Sequence, residues 1–449
     1  MSKVIPIKKQ KTKASNPSPE TEAHRLARGN DQVATDGGGT LYRWTGSYWQ
    51  PQSSLDAETA MFSWLSSHPE HVIKASPRLA ASCVVAAAMG ARRLPVRSEG
   101  DTETSLILPL LNGYLHINLQ GGEITLQDPA PDAGLTYQLQ VSFDPAAQAD
   151  RFHQFLADIL PDQEVREFIQ EYIGYTLISD CRFQIAMFWV GSGANGKSTL
   201  ASIIAKLHRN TASMSIDKLE GFRLTPLVGA SLVYVDETPP RVSEQALKKI
   251  ISGGLIEIDR KFRDPISFKP TAKWIILGNN MPAVSDQSHG FWRRAMVAPF
   301  GRQFTDTEKD PLLEAKIITT EMAGVLNWAI TGLVRLMARG RFPGTPEPMR
   351  AAQRQGMLES NSVYAWWIDA RAEIHPEVET PRALVYADYR KWATDNGMAP
   401  VSAERFWPRL DSACGQKIVA VARKVDGASV RFVPVRLLHS HADGEERWQ

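Results

Sequence analysis

The chain has 449 residues, 43% of them hydrophobic and 22% charged, which is the balance of a globular protein with room for two to four domains and a large core. Net charge is only +2, and the three cysteines, Cys83, Cys181 and Cys414, stand far apart without a C-x-x-C pair, which argues against a disulfide framework or a zinc site. The longest apolar run, Leu79 to Ala91, has 13 residues where a membrane span needs about 20, and no apolar signal-peptide stretch opens the chain, so a reducing cytoplasm and no membrane are expected.

Residues 1–13, MSKVIPIKKQKTK, hold five lysines and no acid, leaving 46 basic against 49 acidic residues in the rest. With the following ASNPSPETEAH they read as a disordered basic tail over 1–40, of the kind that touches nucleic acid or only solubilises. Residues 41–180 read as a first α+β region. It opens with an aromatic strand pair, TLYRWTGSYWQ, has a helix at 79–91, and continues in strands around LPLLNGYLHINLQGGEITL with a Gly-Gly turn. The helices AQADRFHQFLADIL and DQEVREFIQEYIGYTLI close it. Residues 181–345 read as a nucleotide-binding α/β core ending in the helical LLEAKIITTEMAGVLNWAITGLVRLMARG, and the proline-rich FPGTPEPM introduces a linker over 346–359. Residues 360–437 read as a winged helix: helices at YAWWIDARAEI, PRALVYADYRKWATDNG and SAERFWPRLDSACG, then a hairpin turning at Asp426-Gly427. Residues 438–449 read as a tail.

Within the core, GSGANGKST runs from Gly191 through Ser192, Gly193, Ala194, Asn195, Gly196, Lys197 and Ser198 to Thr199, between an apolar strand and a helix pattern. This is the G-x-x-x-x-G-K-[ST] loop, whose backbone amides and following helix cradle a polyphosphate. Lys197 is expected on the β/γ oxygens and Ser198 on Mg²⁺. Such a loop points to nucleotide binding and leaves the reaction open.

The strand SLVYVD ends in Asp236-Glu237, 39 residues after Lys197. Asp236 is placed to hold the metal and Glu237 to polarise the attacking water; a solvated acid pair at a strand end is the alternative. Asn279 ends the strand KWIILGNN, where an amide can hold the water and the γ-phosphate or simply favour a turn. Arg293-Arg294, in FWRRAMVAPF, supplies either an arginine finger or a solvated edge. Between the acids and Asn279 a hairpin is predicted, its tip carrying Arg260, Lys261, Phe262 and Arg263. Cations around an aromatic ring suit single-stranded nucleic acid, and equally a plain basic turn.

The order GSGANGKST, DETP, KIISGGLIEIDRKFRDPISFKPTAKWIILGNNMP and SDQSHGFWRRAMVAPF resembles superfamily-three helicases, and most closely the phage and plasmid DNA primase/helicase family related to poxvirus NTPases. The likeness extends over roughly residues 40–435. It implies an AAA+-type P-loop core with a parallel sheet, ATP and Mg²⁺ as ligands, and a hexameric homo-oligomeric ring on single-stranded and fork DNA. It also implies Glu237 in the acid pair, Asn279 as sensor, Arg294 as the finger donated between subunits, and Lys261 gripping DNA. Leu255 stands where the family has Asp. Upstream of residue 40 neither a D-x-D pair nor zinc-ligand spacing occurs, so a helicase portion without a primase domain is expected, with a separate primase as a partner. Alternatives are an ATPase of the same fold that remodels protein or DNA, and an initiator whose winged helix reads an origin.

Overall fold

The computed structural model of the chain describes residues 17–36, 38–96, 104–239, 242–260, 263–282, 284, 289–369 and 372–438. These fall in two compact units, one within residues 1–109, 113–116 and 124–138, the other within 110–112, 117–123 and 139–449. No single described helix is long and apolar enough to cross a membrane.

The N-terminal elements are helix α1 (Pro19–Arg28), strands β1 (Val33–Thr35), β2 (Leu41–Trp44) and β3 (Trp49–Pro51), helices α2 (Ser54–Ser67) and α3 (Pro77–Gly90), and strands β4 (Arg92–Arg93), β5 (Ser105–Leu110), β6 (Gly113–Asn118) and β7 (Ile124–Gln127). Two sheets form, ordered β3-β2-β1-β4 and β5-β6-β7. The tail expected over 1–40 is corrected here. Residues 1–16 lie outside the described residues, but from Pro19 the chain is helical. Ser18 caps α1 by accepting from the Thr21 N–H, Glu20 and Glu22 sit in its first turn, and Arg25 and Arg28 in its last, all favourable to the helix dipole. Its buried face is Ala23 and Ala27, too small to register as an apolar stripe. Small residues let α1 approach α3 so closely that a Cβ on Gly90 would collide with the His24 backbone.

The second unit starts with helices α4 (Asp150–Ile159) and α5 (Gln163–Thr176). It then alternates β8 (Ala186–Val190), α6 (Lys197–Ala205), β9 (Thr211–Ser213), β10 (Leu232–Val235), α7 (Glu244–Ile251), the hairpin β11 (Ile256–Arg260) and β12 (Arg263–Phe268), β13 (Lys273–Gly278), α8 (His289–Trp292) and β14 (Ala295–Pro299). A five-stranded sheet, ordered β14-β8-β13-β10-β9, is parallel at every pairing. Its strands are near-continuous apolar runs such as AMFWV and LVYV, as expected when helices cover both faces. The fold is thus mixed α/β around a parallel sheet.

Helices α9 (Leu313–Thr320) and α10 (Met322–Arg339) follow, and α10 packs along α5. That packing moves the expected boundary at 180 back to about 138. The linker expected over 346–359 is also corrected, because Glu347–Ser360 is helix α11. Pro346 and Pro348 sit at its N-cap and first turn, where proline is tolerated. Gln353 Nε2 donates to the Trp292 and Ala295 carbonyls at 2.7 and 2.9 Å. The chain ends in α12 (Ser362–Asp369), β15 (Glu373–Ile374), β16 (Thr380–Pro381), α13 (Arg382–Asp395), α14 (Ala403–Cys414), β17 (Val421–Val425), β18 (Ala428–Val433) and β19 (Val435–Arg436). This part has its own core around Trp366, Tyr389 and Phe406.

Glu171 of α5 is 1% exposed and binds Arg335 Nε at 2.6 Å and Arg339 Nη2 at 2.7 Å on α10. Burial alone would raise its pKa; the hydrogen bonds from Arg339 and Arg335 outweigh that and hold it below 4.5. A carboxylate lowered on folding contributes stability above its unfolded pKa and loses it as pH falls through the folded one. Glu171→Gln should cost about 2–3 kcal/mol at pH 7, less than the roughly 3–5 of a fully buried broken pair, because the arginine side chains are 34% and 30% exposed. Urea unfolding from pH 7 down to 3 reads this: the gap between wild type and variant should close below about pH 4.5, and a gap independent of pH would count against the ion pair.

Candidate active site

β8 leaves the sheet into the glycine-rich loop. Gly193, Ala194 and Gly196 take φ values of 94°, 49° and 79°, left-handed conformations of the kind that anion nests use, with the Gly193 N–H donated to the Gly191 carbonyl at 2.9 Å. Gly196 is the N-cap of α6, which has no side-chain cap, so its first-turn amides and the positive end of its dipole face the loop.

The loop is braced from behind. The Gly191 N–H donates to the Gly278 carbonyl at 3.2 Å and the Phe304 N–H to the Ala194 carbonyl at 2.9 Å. Gln303 Nε2 donates to Ser192 Oγ at 2.7 Å, and Asn195 Nδ2 to the Phe300 carbonyl at 3.1 Å. Asn195 is therefore a brace more than a ligand. Gln303 was invisible in the sequence, because nothing local marks a side chain that reaches back 111 residues.

Lys197 is 6% exposed. Its ammonium donates to the Gly191 carbonyl at 2.6 Å and to Asn195 Oδ1 at 2.9 Å, both neutral acceptors, and it forms no ion pair among the described residues. Burial lowers its pKa. A buried cation without a counter-charge is costly unless an anion joins it.

Residues 193–199, 236–239 and 277–282 line a cavity of about 660 Å³, within the range of small-molecule sites. The loop residues Gly193 to Thr199, the acids Asp236 and Glu237 and the strand-tip Asn279 are thus brought together; Gly191 and Ser192 stand behind the lining. Asp236 and Glu237 are exposed at the end of β10. Thr238 Oγ1 donates to the Leu277 carbonyl at 2.6 Å and fills the space a Gly278 Cβ would need, tying the acid tip to the Asn279 tip.

Tyr234 donates to Asp236 Oδ1 at 2.6 Å. Burial, then the bond to Asp236, holds the phenol well above its usual pKa, and Ser198 and Asp236 line the same cavity. The two predicted metal ligands therefore converge. No group of three or more His, Cys, Asp or Glu able to hold a metal occurs among the described residues. The donor set suits a hard cation that takes one carboxylate and a hydroxyl and draws its other oxygens from phosphate and water. A second cavity, of about 690 Å³, meets the first at Ser198, Thr199 and Asp236 and is lined further by Ser202, Tyr234 and Glu314.

Arg293 and Arg294 are not at this cavity. Ala295 pairs with Ala186, so both arginines precede β14 at the sheet edge where β8 begins, roughly 15 Å from the loop at about 3.3 Å per strand residue. Arg294 is engaged within its own chain: Nε donates to Ser252 Oγ at 3.0 Å, Nη1 to the Gly290 carbonyl at 2.8 Å and Nη2 to Gln184 Oε1 at 3.0 Å. Arg293 is exposed and makes no hydrogen bond or ion pair among the described residues.

In the hairpin, Arg260 and Arg263 pair across the ladder; Lys261 and Phe262 lie outside the described residues. Leu255, before β11, is 52% exposed. Sequence reasoning missed Phe222. It is 58% exposed, beside Arg223, on a short turn that packs against β11. Its signal was a lone aromatic in a polar stretch, DKLEGFR, which is weak.

Two family models match: "D5 N terminal like" over residues 23–161 and a family of unknown function, DUF5906, over 189–294. The chain is 28% identical over 172 residues to "Putative helicase L207/L206" of Acanthamoeba polyphaga mimivirus, covering 33% of this chain and 17% of that one. It is 23% identical over 241 residues to "Putative helicase 121R" of Invertebrate iridescent virus 3, covering 47% and 24%. It is 24% identical over 152 residues to "Putative primase C962R" of African swine fever virus, covering 31% and 16%. The chain thus spans under a quarter of each of these relatives. Among solved structures, the apo NrS-1 C terminal region superposes at a TM-score of 0.53 and 10% identity, over 94% of this chain and all of that one, which bears on the fold alone. The D5-type match over residues 23–161 and the relatives named for helicase and primase together support a primase/helicase-family protein.

Proposed function

We propose that the second unit is an AAA+-type, superfamily-three P-loop ATPase that drives a replicative DNA helicase, with residues 360–437 as a winged-helix DNA-binding module. The observation that carries this reading is Lys197, a buried ammonium that among the described residues is held only by neutral acceptors, on a glycine-rich turn. The missing counter-charge is a polyphosphate. The strand order supports it too, since the acid strand β10 is separated from the loop strand β8 by the Asn279 strand β13. All three tips then face one nucleotide.

ATP is the substrate. Lys197 exchanges its Gly191 and Asn195 acceptors for phosphate oxygens, and the amides of 193–199 hold the rest of the chain of phosphates. Ser198 and Asp236 would hold Mg²⁺, which neutralises charge on the β and γ oxygens. Glu237 orients and polarises water, and Asn279 fixes its direction of approach. The finger has to come from a neighbouring subunit, because neither arginine reaches its own loop. Arg293 makes no hydrogen bond or ion pair among the described residues, whereas Arg294 must first release Ser252, Gly290 and Gln184. Six copies in a ring around single-stranded DNA would place each finger edge beside a neighbour's cavity. Arg260, Lys261, Phe262 and Arg263, backed by Phe222, would meet the strand at a fork, a separate primase would act on the exposed template, and the setting would be cytoplasmic.

Lys197→Ala should lose nucleotide affinity and turnover together. Glu237→Gln should keep affinity and lose turnover, since phosphate contacts survive while water activation fails. Turnover by Glu237→Gln at the wild-type rate would remove that role.

Arg293→Ala and Arg294→Ala should each be compared for ATP binding and hydrolysis. The donated finger is the one whose loss spares binding and slows hydrolysis; fingers given in trans are worth about 10³–10⁵ in well-studied GTPases. Mixing that variant with Lys197→Ala should restore part of the activity, and verified mixed assemblies without rescue would argue against sharing.

Phe222→Ala should weaken single-strand binding by about 1–3 kcal/mol, the worth of one stacked base, and lower DNA-stimulated ATPase activity with basal hydrolysis unchanged. Loss of basal hydrolysis as well would mean that Phe222 supports the fold instead.

A further inference from the structure

We propose that Tyr234 is the positioning residue of the metal-binding carboxylate, its hydroxyl fixing Asp236 and thereby setting the divalent-cation affinity of the site. The proposal rests on the nucleotide reading above and adds to it a residue that no motif names.

Tyr234 and Asp236 are two residues apart at the end of β10, so they share one side of the chain by the period of a strand. The phenol reaches Asp236 Oδ1 at 2.6 Å, and Ser198 lines the same cavity as the phenol and Asp236. An exposed Asp side chain, free to rotate, would otherwise spread its oxygens over several rotamers. With Oδ1 committed to the phenol, Oδ2 is left oriented for a cation.

Tyr234 does not line the cavity that would hold the phosphates. It lines the second cavity, with Ser202 and Glu314, so it acts through Asp236 and does not touch substrate. Glu314, the other carboxylate near it, is taken by Ser202 Oγ at 2.5 Å and leaves the phenol to Asp236.

Outer partners of a ligating carboxylate are typically worth 10–100-fold in metal affinity. The full chain should be titrated with a fluorescent ADP analogue, first in EDTA and then across a MgCl₂ series. Tyr234→Phe keeps the ring and removes only the hydroxyl. In EDTA it should bind the analogue as wild type does, and its melting temperature without ligand should match wild type. The MgCl₂ concentration giving half of the metal-dependent tightening should rise by about 10-fold or more. In an Asp236→Asn background the same change should have no further effect, because the group it positions is gone. A wild-type magnesium effect with an unshifted midpoint in Tyr234→Phe overturns the proposal alone. Equal weakening in EDTA and in magnesium also overturns it, since that is a structural effect. A wild-type chain that binds no nucleotide under either condition overturns the nucleotide reading beneath it.

Discussion

A glycine-rich turn with left-handed residues has little within itself to hold its shape. Here the shape is imposed from the back. Gly191 hangs on Gly278, Ala194 on Phe304, Ser192 on Gln303 and Asn195 on Phe300. Three of these four partners belong to the segment just after β14. The loop is therefore a property of the sheet, not of its nine residues. A Cβ on Gly191 would strike the Phe300 carbonyl, which shows how tightly loop and brace are matched.

The sheet order makes β13 the hub. It lies between β8 and β10 and ends at Gly278, just before Asn279. Its Gly278 carbonyl receives the loop and its Leu277 carbonyl receives Thr238 from the acid tip. Its other end is equally fixed. Tyr172 donates to the Trp274 carbonyl at 2.6 Å, and Lys273 donates to the Ile178 and Thr271 carbonyls and lies 4.7 Å from the Tyr175 ring centroid. Lys273 is an instructive contrast to Lys197. Both are buried, but Lys273 has an aromatic face as a third partner and lines neither cavity, and burial pushes its pKa down to about 8. One buried lysine closes the structure, and the other faces a space large enough for an anion.

What could be read in the chain follows from this division between local and long-range causes. The loop, the acid pair, the strand ending at Asn279 and the Asp426-Gly427 turn are written in adjacent residues, and each has a local stereochemical reason. The turn, for instance, needs the positive φ values of 49° and 82° that Asp426 and Gly427 adopt. Other features depend on what a residue meets far away. α1 hides its contact face in two alanines. The boundary near 138 is set by α5 meeting α10 through Glu171, Arg335 and Arg339, which are over 160 residues apart. The engagement of Arg294 with Gln184 and Ser252 is a fact of the folded sheet edge. Prolines misled at 346–348, because the same residue that breaks a helix in its interior opens one at its first turn.

The helix that replaces the expected linker changes how the C-terminal part relates to the site. A flexible tether would leave that part mechanically independent. α11 instead lies on β14, with Met349 fully buried and Gln353 bonded to the Trp292 and Ala295 carbonyls on either side of the arginine pair. One turn on, Gly356 has no room for a Cβ because Met281 occupies it, and Met281 is two residues beyond Asn279. α11 then runs straight to Asn361, whose Oδ1 accepts from the Val363 N–H at the start of α12. One helix therefore contacts the arginine edge and the residues just past the Asn279 tip before the chain enters the C-terminal core. The C-terminal part is therefore joined to the arginine edge and the Asn279 tip through a packed helix that ends at Asn361.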